Sequence, residues 1–145
     1  MENKIEAMLV FEALGKPKEH LTGFLNELVK KIGEEKGVKI ISNNLSEPIL
    51  AKDQKEIYTS FAELELSLDK IQTLVMIIFK YMPAHIDISY PEKVSMNNHE
   101  WNEVVNEIVR RLHAYDEVAR VMQMERMVLE NKLKEMLKKL KDTNK

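Results

Sequence analysis

From Ile5 to Leu14 one set of apolar residues recurs at every second position. Ile5, Ala7, Leu9 and Phe11 fall on one face, with Glu6, Met8, Val10 and Glu12 on the other. Successive side chains of an extended chain point to opposite sides, so this period predicts a strand with one buried face. Gly15-Lys16-Pro17 breaks it. The period then changes: Leu21, Phe24, Leu25, Leu28, Val29 and Ile32 recur at steps of three and four, the core stripe of a helix. Gly37 is placed as its C′ stop, because glycine adopts the left-handed cap conformation at little cost.

A second strand is expected over Val38–Ser42, followed by a polar connection from Asn43 to Glu56 that contains Pro48. The third strand runs from Ile57 to Leu68. Tyr58, Ala62, Leu64, Leu66 and Leu68 line one face, and Phe61, Glu63 and Glu65 the other. Asp69 and Gln72 have the spacing of a capping box. The helix behind them, Lys70–Met82, is apolar around most of its circumference and ends at Pro83. His85 to Tyr90 alternates again, with Ile86, Ile88 and Tyr90 expected inward, and Pro91 closes it.

The element order is therefore β-α-β-β-α-β, the split βαβ arrangement of ferredoxin-like α+β sandwiches. Right-handed crossovers place the first and third strands in the centre and both helices on one face. That domain is assigned to residues 1–96. The same architecture hosts many unrelated activities, so it implies none.

Residues 97–145 read as one long amphipathic helix. Neither glycine nor proline occurs from Asn98 onward, and Asn97 with Glu100 forms another capping box. Alternating steps of four and three from Trp101 reach Val105, Ile108, Leu112, Tyr115, Ala119, Met122, Arg126, Leu129, Leu133, Met136 and Leu140. Eleven of these twelve positions are apolar, which implies coiled-coil pairing with another helix. The first half, Trp101 to Tyr115, is expected to pack on the domain's own sheet or helices. The second half extends beyond any surface the domain offers, and two arrangements supply its partner. One is a homodimer whose self-association residues are Met122, Arg126, Leu129, Leu133, Met136 and Leu140. The other is an internal hairpin, with Asp116 capping a new helix after a turn at His113-Ala114-Tyr115. Arg126 either fixes register as a polar core residue or snorkels out of the seam. Met122, Met124, Met127 and Met136 serve either as an adaptable contact surface or as loosely specified core filling.

Composition narrows the function classes. The chain has 145 residues, 44% of them hydrophobic, which suits one folded domain with a core. Its formal charge of −2 excludes a globally basic nucleic-acid binder. From Arg126 to Lys145, however, seven bases face three acids, so that tail is +4 and the remainder −6. Lys132, Lys134, Lys138, Lys139, Lys141 and Lys145 can contact phosphates of RNA, a ribosome or an anionic membrane. Alternatively they form a solvated helix exterior, with cations near a C-terminus that favours them.

The absence of cysteine excludes disulfides, zinc-thiolate sites, iron–sulfur clusters and cysteine nucleophiles. The first residues lack the features of a signal peptide, and the longest apolar run, Leu74 to Phe79, is six residues. A cytoplasmic protein is expected. The charged fraction of 32%, rich in Lys and Glu, is compatible with a thermophilic source.

No glycine-rich phosphate loop, G-x-S-x-G or H-E-x-x-H occurs. The residue types nearest to chemistry are Glu6, Glu12, Glu63, Glu65, His85 and Asp87, all assigned to the sheet face opposite the helices. Carboxylates with an imidazole can hold a divalent cation or move protons. A solvated sheet face alternates in the same way without either role, so no catalytic residue, metal ligand or cofactor is assigned. Phe61 among carboxylates is also a poor platform for stacking RNA bases, which such folds do with basic, aromatic sheets. Met8, Val10, Phe61, Glu63, Glu65, His85 and Asp87 instead make a mixed patch suited to a protein partner. The expected function is a non-catalytic interaction and assembly module that self-associates through its last helix. A nucleic-acid- or ribosome-associated factor and a small-molecule-sensing domain are the alternatives.

Overall fold

The computed structural model describes residues 4–52 and 55–144. Met1–Asn3, read above for signal features, Asp53 and Gln54 of the polar connection, and Lys145 of the basic tail lie outside them. The chain divides into two units, Met1–Asn97 and Asn98–Lys145.

The first unit contains β1 (Ile5–Gly15), α1 (Lys18–Gly33), β2 (Val38–Leu45), β3 (Ile49–Leu50), β4 (Tyr58–Leu68), α2 (Ile71–Tyr81) and β5 (His85–Tyr90). The strands form one antiparallel sheet in the order β2-β4-β1-β5, with β3 pairing β4 beyond that path. The first and third long strands are central, as the ferredoxin-like order requires. The two-residue β3 is the addition, carved from the expected polar connection.

The alternation of β1 and β4 explains the core. Ile5, Ala7, Leu9, Phe11 and Ala13 are buried with Ala62, Leu64, Leu66 and Leu68, and Leu21, Leu25, Val29, Ile32, Leu74 and Ile77 from the two helices complete one cluster. Each fully buried leucine or isoleucine contributes about 1.5–3 kcal/mol relative to exposure. Ser60, the polar residue buried deepest, donates from Oγ to the Ser46 carbonyl at 2.8 Å. The Phe61 N–H donates to Ser46 Oγ at 2.9 Å, so the segment after β2 is tied to β4 without an unpaired polar atom.

Two β-bulges set which residues face inward. In β2 the register shifts between Ile40 and Ser42, leaving Ile41 as the extra residue. The shift returns Leu45 to the same side as Val38 and Ile40, and all three pack on the core. In β5 the shift falls opposite Glu6/Ala7, so Tyr90 pairs with Glu6 instead of continuing the inner row. Of the three β5 residues expected inward, only Ile86 packs on the core; Ile88 and Tyr90 are exposed. The bulge takes Tyr90 out of the inner row, whereas Ile88 still pairs with Ala7 and is exposed on a strand that has a neighbour on one side.

Other local expectations are corrected too. α1 ends at Gly33, not just before Gly37. Gly37 does adopt a left-handed φ of +82°, but in the turn entering β2. A Cβ there would fall 2.5 Å from the Asp69 carboxylate. Phe24 lies at the margin of the α1 stripe and is exposed. The N-cap of α2 is Lys70, with no side-chain cap bond; Asp69 instead accepts from the Thr73 hydroxyl. α2 buries Thr73, Leu74 and Ile77, while Ile71, Met76, Ile78 and Tyr81 are half-buried against the core.

The second unit is α3 (Asn98–Thr143), 46 residues in one helix. At 1.5 Å per residue it is about 69 Å long. It passes unbroken through His113-Ala114-Tyr115, which rules out the hairpin. Asp116 does not cap a new helix there; its carboxylate lies 3.0 Å from Arg120 Nε, one turn further along.

Candidate interaction surface

The strand register assembles the patch named from sequence. Val10 pairs with His85 on one side and Glu63 on the other, and Met8 pairs with Asp87 and Glu65. Phe61 pairs with Glu12 in the next inter-strand row. Met8, Val10, Phe61 and Glu65 are half-buried, whereas Glu63, His85 and Asp87 are exposed. Ser42 Oγ donates to Glu65 at 3.2 Å, and Thr59 Oγ1 donates to Glu12 at 3.1 Å. The face is therefore an acidic field around three apolar side chains, with His85 at one edge. Among the described residues no three His, Asp or Glu side chains are grouped closely enough to hold one cation.

α3 presents a different surface. Trp101, Val105, Leu112, Tyr115, Met122, Leu129, Leu133, Met136 and Leu140 are all exposed; Leu129 reaches 65% and Met122 64%. These are residues that normally sit in cores. Arg126, the polar position of the stripe, is also exposed, and its Nε lies 2.8 Å from Glu130. Near the other end Glu107 accepts from Arg111 Nε at 2.8 Å and pairs with Arg110. The Arg111 hydrogen bond, with Arg110 adding its charge, holds the Glu107 carboxyl below its usual range.

A second apolar row on α3 was missed by stepping from Trp101. Val121, Met124 and Val128, at i, i+3 and i+7, combine with Glu125 and Leu129 to line a shallow groove over the central turns. Its signal was legible in the sequence, but a single 3.5-residue stripe follows one side of the helix and passes it by. Lys132, Lys134, Lys138, Lys139 and Lys141 are exposed. At 100° per residue Lys134, Lys138 and Lys141 lie on the side of the helix turned away from Leu133, Met136 and Leu140, while Lys132 and Lys139 flank that row.

One polar cluster in the first unit had no sequence signal at all. Glu35, just after α1, accepts hydrogen bonds from Lys80 Nζ and the Tyr81 hydroxyl at the end of α2. Both bonds span more than forty residues of chain. The Lys80 and Tyr81 bonds hold the Glu35 carboxyl below its usual range; the Glu35 bond raises Lys80. Tyr81 is pushed up chiefly by burial, then by Glu35. The cluster joins the C-terminal ends of two helices.

Fold and surface together define a split-βαβ α+β domain followed by a long helix with an uncovered apolar face. Among the described residues no helix is long and apolar enough to cross a membrane. The chain belongs to the MJ0538 family, whose model matches residues 6–141. That match takes in the sheet and the α3 stripe through Leu140. No curated protein matches the chain, and no solved structure does.

Proposed function

We propose that this protein is a non-catalytic assembly module that self-associates through α3 and presents its sheet face to a protein partner. The observation that supports this most is the uncovered row on α3. An exposed apolar surface extending over many turns is stable in water only when something covers it. A heptad stripe is a surface shaped for another helix. The acidic sheet patch and the Val121–Met124–Val128 groove remain for a further protein.

Light scattering on the intact chain and on a Leu129→Asp, Leu133→Asp variant tests this. A dimer or larger species that becomes a folded monomer in the variant is expected. An intact chain that is monomeric at every concentration would contradict it.

The lysine row supports a second reading, a factor anchored to nucleic acid or a ribosome. Among the described residues none of the five lysines is held in an ion pair. Under that reading, deletion of Met127–Lys145 abolishes binding to RNA; retained binding would eliminate it.

A further inference from the structure

We propose that α3 pairs antiparallel with α3 of a second copy of this chain, in the one register that overlaps the whole apolar stripe. This rests on self-association as the function of the helix and adds its direction and alignment.

Charge is the first ground. The half of α3 from Asn98 to Val121 has five acids and three bases, net −2, and Met122 to Lys145 has four acids and seven bases, net +3. Antiparallel pairing sets each acidic half beside a basic half. Parallel pairing stacks the two basic halves on each other, which repels.

The stripe itself is the second ground. Its spacing begins with a d position at Trp101 and ends with an a position at Leu140, since the step from Trp101 to Val105 is four residues and that from Met136 to Leu140 is four. Antiparallel coiled coils place a opposite d. With Trp101 set against the partner's Leu140, every member of the stripe meets a member of the other stripe. Leu112 meets the partner's Leu129. At the centre the small Ala119 meets the large partner's Met122, so volume is complementary where the two-fold axis passes.

Arg126 is the third ground. In this register it lies opposite the partner's Tyr115, whose ring face and hydroxyl both suit a guanidinium. In a parallel pair Arg126 would face the partner's Arg126, two like charges in one seam, and Ala119 would face the partner's Ala119 across a gap. Only Arg111 meets a like charge in the antiparallel flank, the partner's Lys132. Glu107 already holds Arg111 at 2.8 Å and offsets it.

The chain has no cysteine, so engineered disulfides report the alignment without background. Full-length Val105→Cys and Met136→Cys chains, mixed and oxidised, should form a disulfide between one chain of each kind, and neither variant alone should cross-link. Leu112→Cys with Leu129→Cys should repeat the result. In the antiparallel pair the two copies of residue 105 lie tens of ångströms apart at 1.5 Å rise per residue. Self-cross-linking of either variant alone would overturn the proposal in favour of a parallel pair. Oligomers by light scattering with no cross-link in either mixture would overturn the register. Monomers by light scattering would overturn the self-association on which it rests.

Discussion

The sheet domain and α3 are built from equally apolar residues, yet they satisfy them in opposite ways. In the domain, Leu9, Leu25, Leu64, Leu66 and Ile77 have no exposed surface, because two helices close over one face of a sheet. In α3 the exposed leucines and methionines show half or more of their surface, and most of its valines are exposed as well. The domain has completed its folding problem within one chain. The helix has the backbone hydrogen bonds of its interior turns but has not buried its apolar stripe, and isolated helices in water gain little stability from propensity alone. The contrast separates what a chain can finish alone from what it leaves for a partner.

The largest effect that sharpens this contrast belongs to the core. Leu64→Ala should cost the domain about 2–5 kcal/mol, because the surrounding sheet and helices cannot collapse into the space. Chemical denaturation followed by circular dichroism measures it; a loss below 1 kcal/mol would mean the core is looser than its burial indicates.

Gly37→Ala should be next, at about 1–3 kcal/mol, since alanine is strained at a left-handed φ and its Cβ meets Asp69. The same denaturation series reads it, and an unchanged midpoint would show that the turn can relax.

Glu35→Gln should have a smaller, pH-dependent effect. The folded carboxyl lies below its ordinary value, so its contribution is present above the unfolded pKa of about 4.3 and lost as pH falls through the folded one. Lys80 is raised, so its share is present below about 10.4 and lost as pH rises through its folded value. Melting curves of both proteins should therefore differ at neutral pH and converge on acidification. A constant gap down to pH about 2 would break the assignment.

Smallest should be Met124→Gln, which lies outside the α3 stripe and should change domain stability by less than about 0.5 kcal/mol. A larger loss would show that the central groove is already covered within the assembly.

Much of this architecture was legible because its signals are local. Alternation through Ile5–Phe11 and Ala62–Leu68, a helical stripe at Leu21–Ile32 and the absence of breakers after Asn98 each report on a few neighbouring residues. The failures came where one element's geometry depends on another. The bulge that turns Tyr90 outward is defined by its pairing with Glu6, and the one at Ile41 by Leu66 and Glu65. The Asp69 N–H meets the Gly37 carbonyl at 3.0 Å because the start of α2 and the turn entering β2 come together, which spacing alone does not encode. The Glu35–Lys80–Tyr81 cluster is the extreme case, two helix ends joined across the fold. For the candidate surface, the sheet patch followed from strand order, and the α3 stripe from period. The second row at Val121, Met124 and Val128 lies off the one seam that a 3.5-residue period follows.

Hydrogen exchange on the intact protein tests the central claim most directly, that α3 is completed by another copy. Amides from Leu112 to Leu140 should be protected, and their protection should rise with protein concentration while that of β1 and β4 stays constant. Rapid exchange along α3 that is independent of concentration, beside a protected sheet, would contradict it.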